Sequence, residues 1–228
     1  MRSNALPGFT PSIHGFRFAN RWPAGPAFEL RVGYLRVGLG EVSDGLCGGM
    51  CFAAADRYVR GEAAPDGVDA PARGTPLFGE IARRQLDSFD RLAVAPARFL
   101  STSARLARGW WHPRDQVREL RAVLADINAG RPAMVGLVRA VGIDPFGLTA
   151  NHVVVGYTYE VEARHGRLGI YDPNHPGRDD VALTIEVEAA VGGASGDLAS
   201  VSLTQSTGEP LLALLRLPYR PARRPASD

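Results

Sequence analysis

Cysteine is nearly missing from this 228-residue chain, which holds two, Cys47 and Cys51. One pair four positions apart on a single element makes no disulfide framework, and no second pair completes a zinc knuckle, so reducing surroundings are expected. A run of about 20 apolar residues is also lacking, and residues 1–22 carry a charge without the apolar stretch of a secretory signal. A cytoplasmic protein with no membrane partner is the expectation. Charge of one sign is not in excess: the formal net charge is +2, with arginines interspersed among carboxylates, which gives no case for nucleic acid. What is present, 45% hydrophobic and 22% charged residues, is enough for one sizeable core, and a single domain over residues 1–228 is expected.

The stretch around which the chain is organised runs from Gly45 to Tyr58 and reads GLCGGMCFAAADRY. Gly45, Gly48 and Gly49 allow tight backbone geometry, and the alanine-rich string from Met50 is a strong helix former with almost no polar group. A buried helix is therefore predicted to begin within a residue or two of Cys47. The unpaired N–H groups of a helix start favour a thiolate, moving a thiol from about 8.5 toward roughly 3.5–7.5 in reactive cases, and they can also hold an oxyanion. An inert core cysteine is the plain alternative for a thiol in such a turn.

About a hundred residues on, the chain reads NHVVVGYTYEVEARHGRLGIYDPNHPG from Asn151 to Gly177. His152 opens a β-branched and aromatic run that predicts a buried strand. The charged residues from Glu160 to Arg167 reverse the chain, and Leu168 to Tyr171 returns to Asp172–Pro173. Paired as a hairpin, the two strands bring His152 to Asp172, where a carboxylate can fix the imidazole's orientation and tautomer. Cys47, His152 and Asp172 then form a nucleophile, base and orienting set.

In order and context these residues resemble papain-like cysteine peptidases. The likeness is strongest to the bacterial branch of bacteriocin-processing, double-glycine-leader peptidases and to stand-alone bacterial relatives with LCGGM, NH…GY and YDPN…PG segments. It spans Gly45 to Gly177 through Cys47–Gly48, Asn151–His152 and Asp172–Pro173. The resemblance implies an α+β fold, with a helical half carrying the nucleophile helix packed on an antiparallel sheet half. It also implies a thiol acyl-transfer hydrolase acting on a peptide or amide substrate, without metal or organic cofactor.

The sequence departs from that family at Glu41. Six residues before the nucleophile the family places a glutamine that completes the oxyanion hole, and an ionised carboxylate there would repel an oxyanion. Ser43 and the backbone at Cys47 and Gly48 are the other candidates for that role. Cys51 is an alternative nucleophile, although it falls a turn inside the helix, and Asn174 competes with Asp172 as the orienting group. His175 is a runner-up base, while His14 and His112 lie in segments without supporting motifs. Two other functions stay open: a catalytically silent relative that binds a peptide or protein partner in the same cleft, and an amidase or transglutaminase-like acyltransferase.

The remainder is read from pattern. Prolines and glycines break residues 1–40 into an extended arm, with Phe9, Phe16, Phe18, Trp22 and Phe28 as anchors. Arg60 to Thr75 is a loop that could border a cleft. Helices are predicted over 77–92, with Glu80, Arg83, Arg84, Asp87, Asp90 and Arg91 as a solvated face, and over 113–128. The segment 96–111 is left without an element, its adjacent Trp110 and Trp111 lining a cleft or a packed turn. Ala133 to Val138 is a buried strand, and Gly142 to Thr149 a loop delivering His152. Strands follow over 181–187, 199–203 and 211–215, and residues 219–228 form a loose end.

Overall fold

The computed structural model describes residues 1–32, 35–41, 43, 45–89, 94–141, 151–189 and 198–222. Positions 142–149, expected as the loop before His152, fall outside them, as do 90–93 and 223–228.

A seven-stranded antiparallel sheet forms one half of the α+β architecture. Its path runs β8 (Leu198–Gln205), β7 (Ala182–Ala189), β6 (His165–Tyr171), β5 (His152–Glu162), β4 (Ala133–Val138) and β9 (Ala213–Leu217). β1 (Arg2–Ala5) pairs with the far half of β5, from Arg2 opposite Val161 to Ala5 opposite Thr158. β5 is thus sheathed on both edges, by β4 and β1 on one side and β6 on the other. Its buried valines, Val153, Val154 and Val155, are what a strand inside a core requires. The reversal after β5 is confined to Ala163 and Arg164, so both strands are longer than expected from the charged run.

The helical half holds α2 (Cys47–Val59), α3 (Pro76–Ser88), α4 (Val94–Ala107) and α5 (Pro113–Asn128), with the short α1 (Pro11–His14) in the arm. α2 is buried from Gly48 to Asp56 and packs on both α3 and β5. The paired glycines after Cys47 serve that packing. A Cβ on Gly48 would meet Ser88 Oγ at 2.4 Å, and one on Gly49 would meet the Ile81 carbonyl oxygen at 2.2 Å. Both lie inside the helix and let α3 approach, which corrects their reading as turn residues; Gly45, at φ +89°, is the turn glycine.

Three expectations are revised. Residues 94–107 are helical: Phe99 and Thr102 face the interior, so the serine and threonine run belongs to an amphipathic helix. Arg84 does not belong to a solvated face of α3. It is buried and pairs with the buried Asp56 of α2 at 2.9 Å, its guanidinium 5.0 Å from the Phe52 ring centre. Nor are residues 219–222 loose. The Tyr219 hydroxyl donates to Asp56 at 2.8 Å, the Ala222 N–H at 3.0 Å, and the Arg220 carbonyl accepts from Arg84 at 2.9 Å.

The arm at the N-terminus is anchored through Phe9, Phe16, Phe18 and Trp22, all buried. It also contains a β-hairpin of β2 (Pro26–Val32) and β3 (Leu35–Glu41) that composition did not suggest. Among the described residues no helix is long and apolar enough to cross a membrane.

Candidate active site

Cys47 is the first residue of α2 and is half-buried. A helix start leaves four N–H groups without an intrahelical acceptor, here those of Leu46, Cys47, Gly48 and Gly49. Leu46 N–H donates to Asn20 Oδ1 at 2.6 Å and Gly49 N–H to Gln85 Oε1 at 2.7 Å. The Gly48 N–H lies against the Cys47 sulfur, together with a backbone hydrogen bond from Val153 at the start of β5. The Cys47 N–H is the remaining donor of the set.

His152 is buried at the first position of β5, and its Nε2 sits 2.6 Å from Oδ1 of the buried Asp172, which follows directly on β6. An ionised carboxylate only accepts, so Nε2 carries a proton and Nδ1 is left for the thiol, with which His152 is hydrogen-bonded. The β5–β6 hairpin therefore brings the acid to the base, and α2 brings the sulfur to the other side of the ring.

The electrostatics of the three are coupled. Burial alone raises the Cys47 thiol, but the adjacent His152 charge, its hydrogen bond and the backbone donors at Val153 and Gly48 outweigh this, and the net shift is down. Burial acts on His152 in the lowering direction; the charge on Cys47, with the hydrogen bonds to Asp172 and Cys47, overcomes it and pushes the imidazole up to about 9. Burial would raise Asp172, yet the His152 bond and charge and the Asn174 N–H hold it below the usual carboxylate range. A thiol shifted down beside an imidazole shifted up moves the pair toward thiolate and imidazolium.

Sequence reasoning missed what stands behind Asp172. Oδ1 also accepts the Asn174 N–H at 2.9 Å, and Oδ2 accepts Gln205 Nε2 at 2.8 Å from the end of β8. Gln205 is buried, and its own oxygen accepts from Arg139 at 2.9 Å. Asn151, beside His152, accepts the Arg139 backbone N–H at 3.2 Å. A lone glutamine 33 residues after the acid leaves no local pattern to find it by. Asn20 was also missed. Its Nδ2 donates to Asn174 Oδ1 at 3.2 Å and its own N–H to Pro173 O at 3.0 Å, tying the cysteine's approach to the turn after the acid.

No family model, curated protein or solved structure matches this chain.

The other sequence candidates stand apart from this cluster's chemistry. Cys51 is fully buried, its thiol donates to Val153 O at 3.2 Å, and burial together with the charges of Cys47 and Asp172 holds it well above the usual thiol range. Asn174 is exposed and serves Asp172 through its backbone rather than orienting His152. Glu41 is exposed, its carboxylate accepting from Gly25 N–H at 2.7 Å and Ser43 N–H at 3.0 Å; Ser43 is exposed as well. His175 pairs with Glu209 at 2.6 Å. His14 stacks on Phe9, and His112 caps α5 with Asp115. Trp110 is exposed beneath Arg108, whereas Trp111 packs against the core under Arg105. Among the described residues no group of three or more His, Cys, Asp or Glu could hold a metal.

Proposed function

We propose that the protein is a cysteine hydrolase of papain-like arrangement that acts on a peptide or amide through Cys47, His152 and Asp172. The observation that carries this reading is the 2.6 Å bond between His152 Nε2 and Asp172 Oδ1, with the Cys47 thiol as hydrogen-bond partner of the same ring at a helix start. In this reading the Cys47 thiolate attacks the carbonyl carbon and the carbonyl π pair moves to oxygen. Collapse of the tetrahedral species breaks the bond to the leaving amine, which takes its proton from the His152 imidazolium and leaves a thioester. His152, again neutral, draws a proton from water as it adds; the acid is released and the thiolate–imidazolium pair returns. Asp172 keeps the ring turned and stabilises its charge.

An acyltransferase would use the same three residues. A silent relative is suggested by the carboxylate at position 41, which accepts from the N–H groups of Gly25 and Ser43 and supplies no oxyanion donor. The deciding experiment measures release of new N-termini from a diverse peptide library by the parent and by Cys47→Ala. Cleavage by the parent alone supports the assignment; equal cleavage by both overturns it. Incorporation of an added amine in place of hydrolysis would move the assignment to an acyltransferase.

A further inference from the structure

We propose that the carboxamide of Asn20 supplies the second oxyanion donor, across from the Cys47 N–H, for the carbonyl oxygen of the acyl group under attack. The proposal rests on the acyl-transfer reading above and deepens it.

A single backbone N–H is a weak cradle for a developing oxyanion, and sites of this kind gain from a second, pre-placed neutral donor. Glu41 offers none, since an ionised carboxylate only accepts. Asn20 reaches the same turn of chain from 27 residues upstream of the cysteine. Its Oδ1 is fixed by the N–H of Leu46, the residue before Cys47, at 2.6 Å. That contact fixes the orientation of the amide: the oxygen is committed to the loop, so the nitrogen must be the other end. Nδ2 has two hydrogens; one is directed to Asn174 Oδ1 at 3.2 Å, and the second is the donor assigned here. The backbone of Asn20 is held as well, through its N–H on Pro173 O at 3.0 Å.

Gly45 bears out how closely the carboxamide sits. A Cβ at that position would lie 2.5 Å from Asn20 Nδ2, and the residue is at φ +89°, so both its missing side chain and its conformation let the amide lie on the loop that leads into Cys47. The donor is thereby held from three sides before substrate arrives, so little reorganisation accompanies the step. When the thiolate adds, the carbonyl π pair becomes the oxyanion between the Cys47 N–H and Asn20 Nδ2–H. It re-forms the carbonyl as the leaving group departs with the proton from His152, and Asn20 ends the cycle unchanged.

The test separates acylation, which passes through an oxyanion, from alkylation, which does not. Parent, Asn20→Ala and Asn20→Asp are each treated with 4-nitrophenyl acetate and with iodoacetamide, and the adduct on Cys47 is followed by mass spectrometry. Asn20→Asp keeps an acceptor for the Leu46 N–H but has no donor. The expected result is a fall in the acylation-to-alkylation ratio of about tenfold or more in both variants. If Asn20→Ala loses both reactions in proportion and Asn20→Asp restores both, Asn20 only positions the loop and the proposal is overturned. An unchanged ratio in both variants overturns it too. A parent whose Cys47 neither acylates nor alkylates faster than an ordinary thiol sinks the acyl-transfer reading itself, and this assignment with it.

Discussion

The imidazole of His152 carries the most direct predictions. On the proposed acyl-transfer reading, with Cys47 shifted down and His152 raised to about 9, the reactive form is the ion pair that spans the interval between the two. Below the lower limit the thiolate is protonated; above the upper one the imidazolium has lost the proton owed to the leaving group. The profile of kcat/KM against pH is therefore expected to be bell-shaped with its basic limb near 9, both limbs belonging to the coupled pair. Asp172→Ala removes one of the contributions that raise His152, so the basic limb should move to lower pH while the rate falls about 10²–10⁴-fold. Cys51→Ala should change activity little, because its thiol spends its hydrogen on Val153 O rather than on substrate. Steady-state rates for the two variants, taken across pH 5–10, check both expectations.

At the scale of elements, the site depends on how closely α2 and α3 approach. Gly49→Ala places a methyl against the backbone oxygen of Ile81, which cannot swing aside as a side chain would. The helices must separate, at a cost of about 1–3 kcal/mol. Because Gln85 of α3 caps the Gly49 N–H, separation also loosens the turn that holds Cys47. A lowered melting temperature together with slower iodoacetamide labelling of Cys47 is the expected outcome; a stable variant with unaltered labelling would contradict it. The β5–β6 hairpin is the other decisive element. It carries base and acid on one short reversal, so their encounter needs no distant part of the chain.

For the molecule as a whole, the buried Asp56 gathers the central helix, α3 and the end of the chain into one polar knot. It accepts from Arg84, from the Tyr219 hydroxyl and from the Ala222 N–H. Asp56→Ala leaves the buried Arg84 charge with the half-exposed Asp87 as its carboxylate partner, a loss of up to about 3–5 kcal/mol for the broken buried pair. Thermal unfolding of Asp56→Ala should show that loss, and limited proteolysis should cleave near residue 219 sooner than in the parent. Arg98 with Glu119 and Arg216 with the buried Asp126 repeat the device between α5 and its neighbours α4 and β9, where the partly exposed arginines let water weaken the pairs.

The hydrophobic periods of α5, β4 and β5, the Cys–Gly helix start and the local hairpin from His152 to Asp172 were all legible in the sequence, because each rests on contacts between residues near in the chain. So was the set of three candidate site residues. The helix over 94–107 was not, since its serines and threonine masked an amphipathic period, and the buried role of Arg84 was not, since an arginine on a helix reads as solvated until a partner is known. Asn20, Gln205 and Arg139 stayed invisible for a different reason. Their partners at the site lie from 12 to 154 residues away, and a polar side chain carries no mark of which distant backbone, amide or carboxylate it will meet. Only the folded arrangement of α2, the sheet and the arm decided those pairings, as it decided which of two cysteines faces the imidazole and which is sealed in the core.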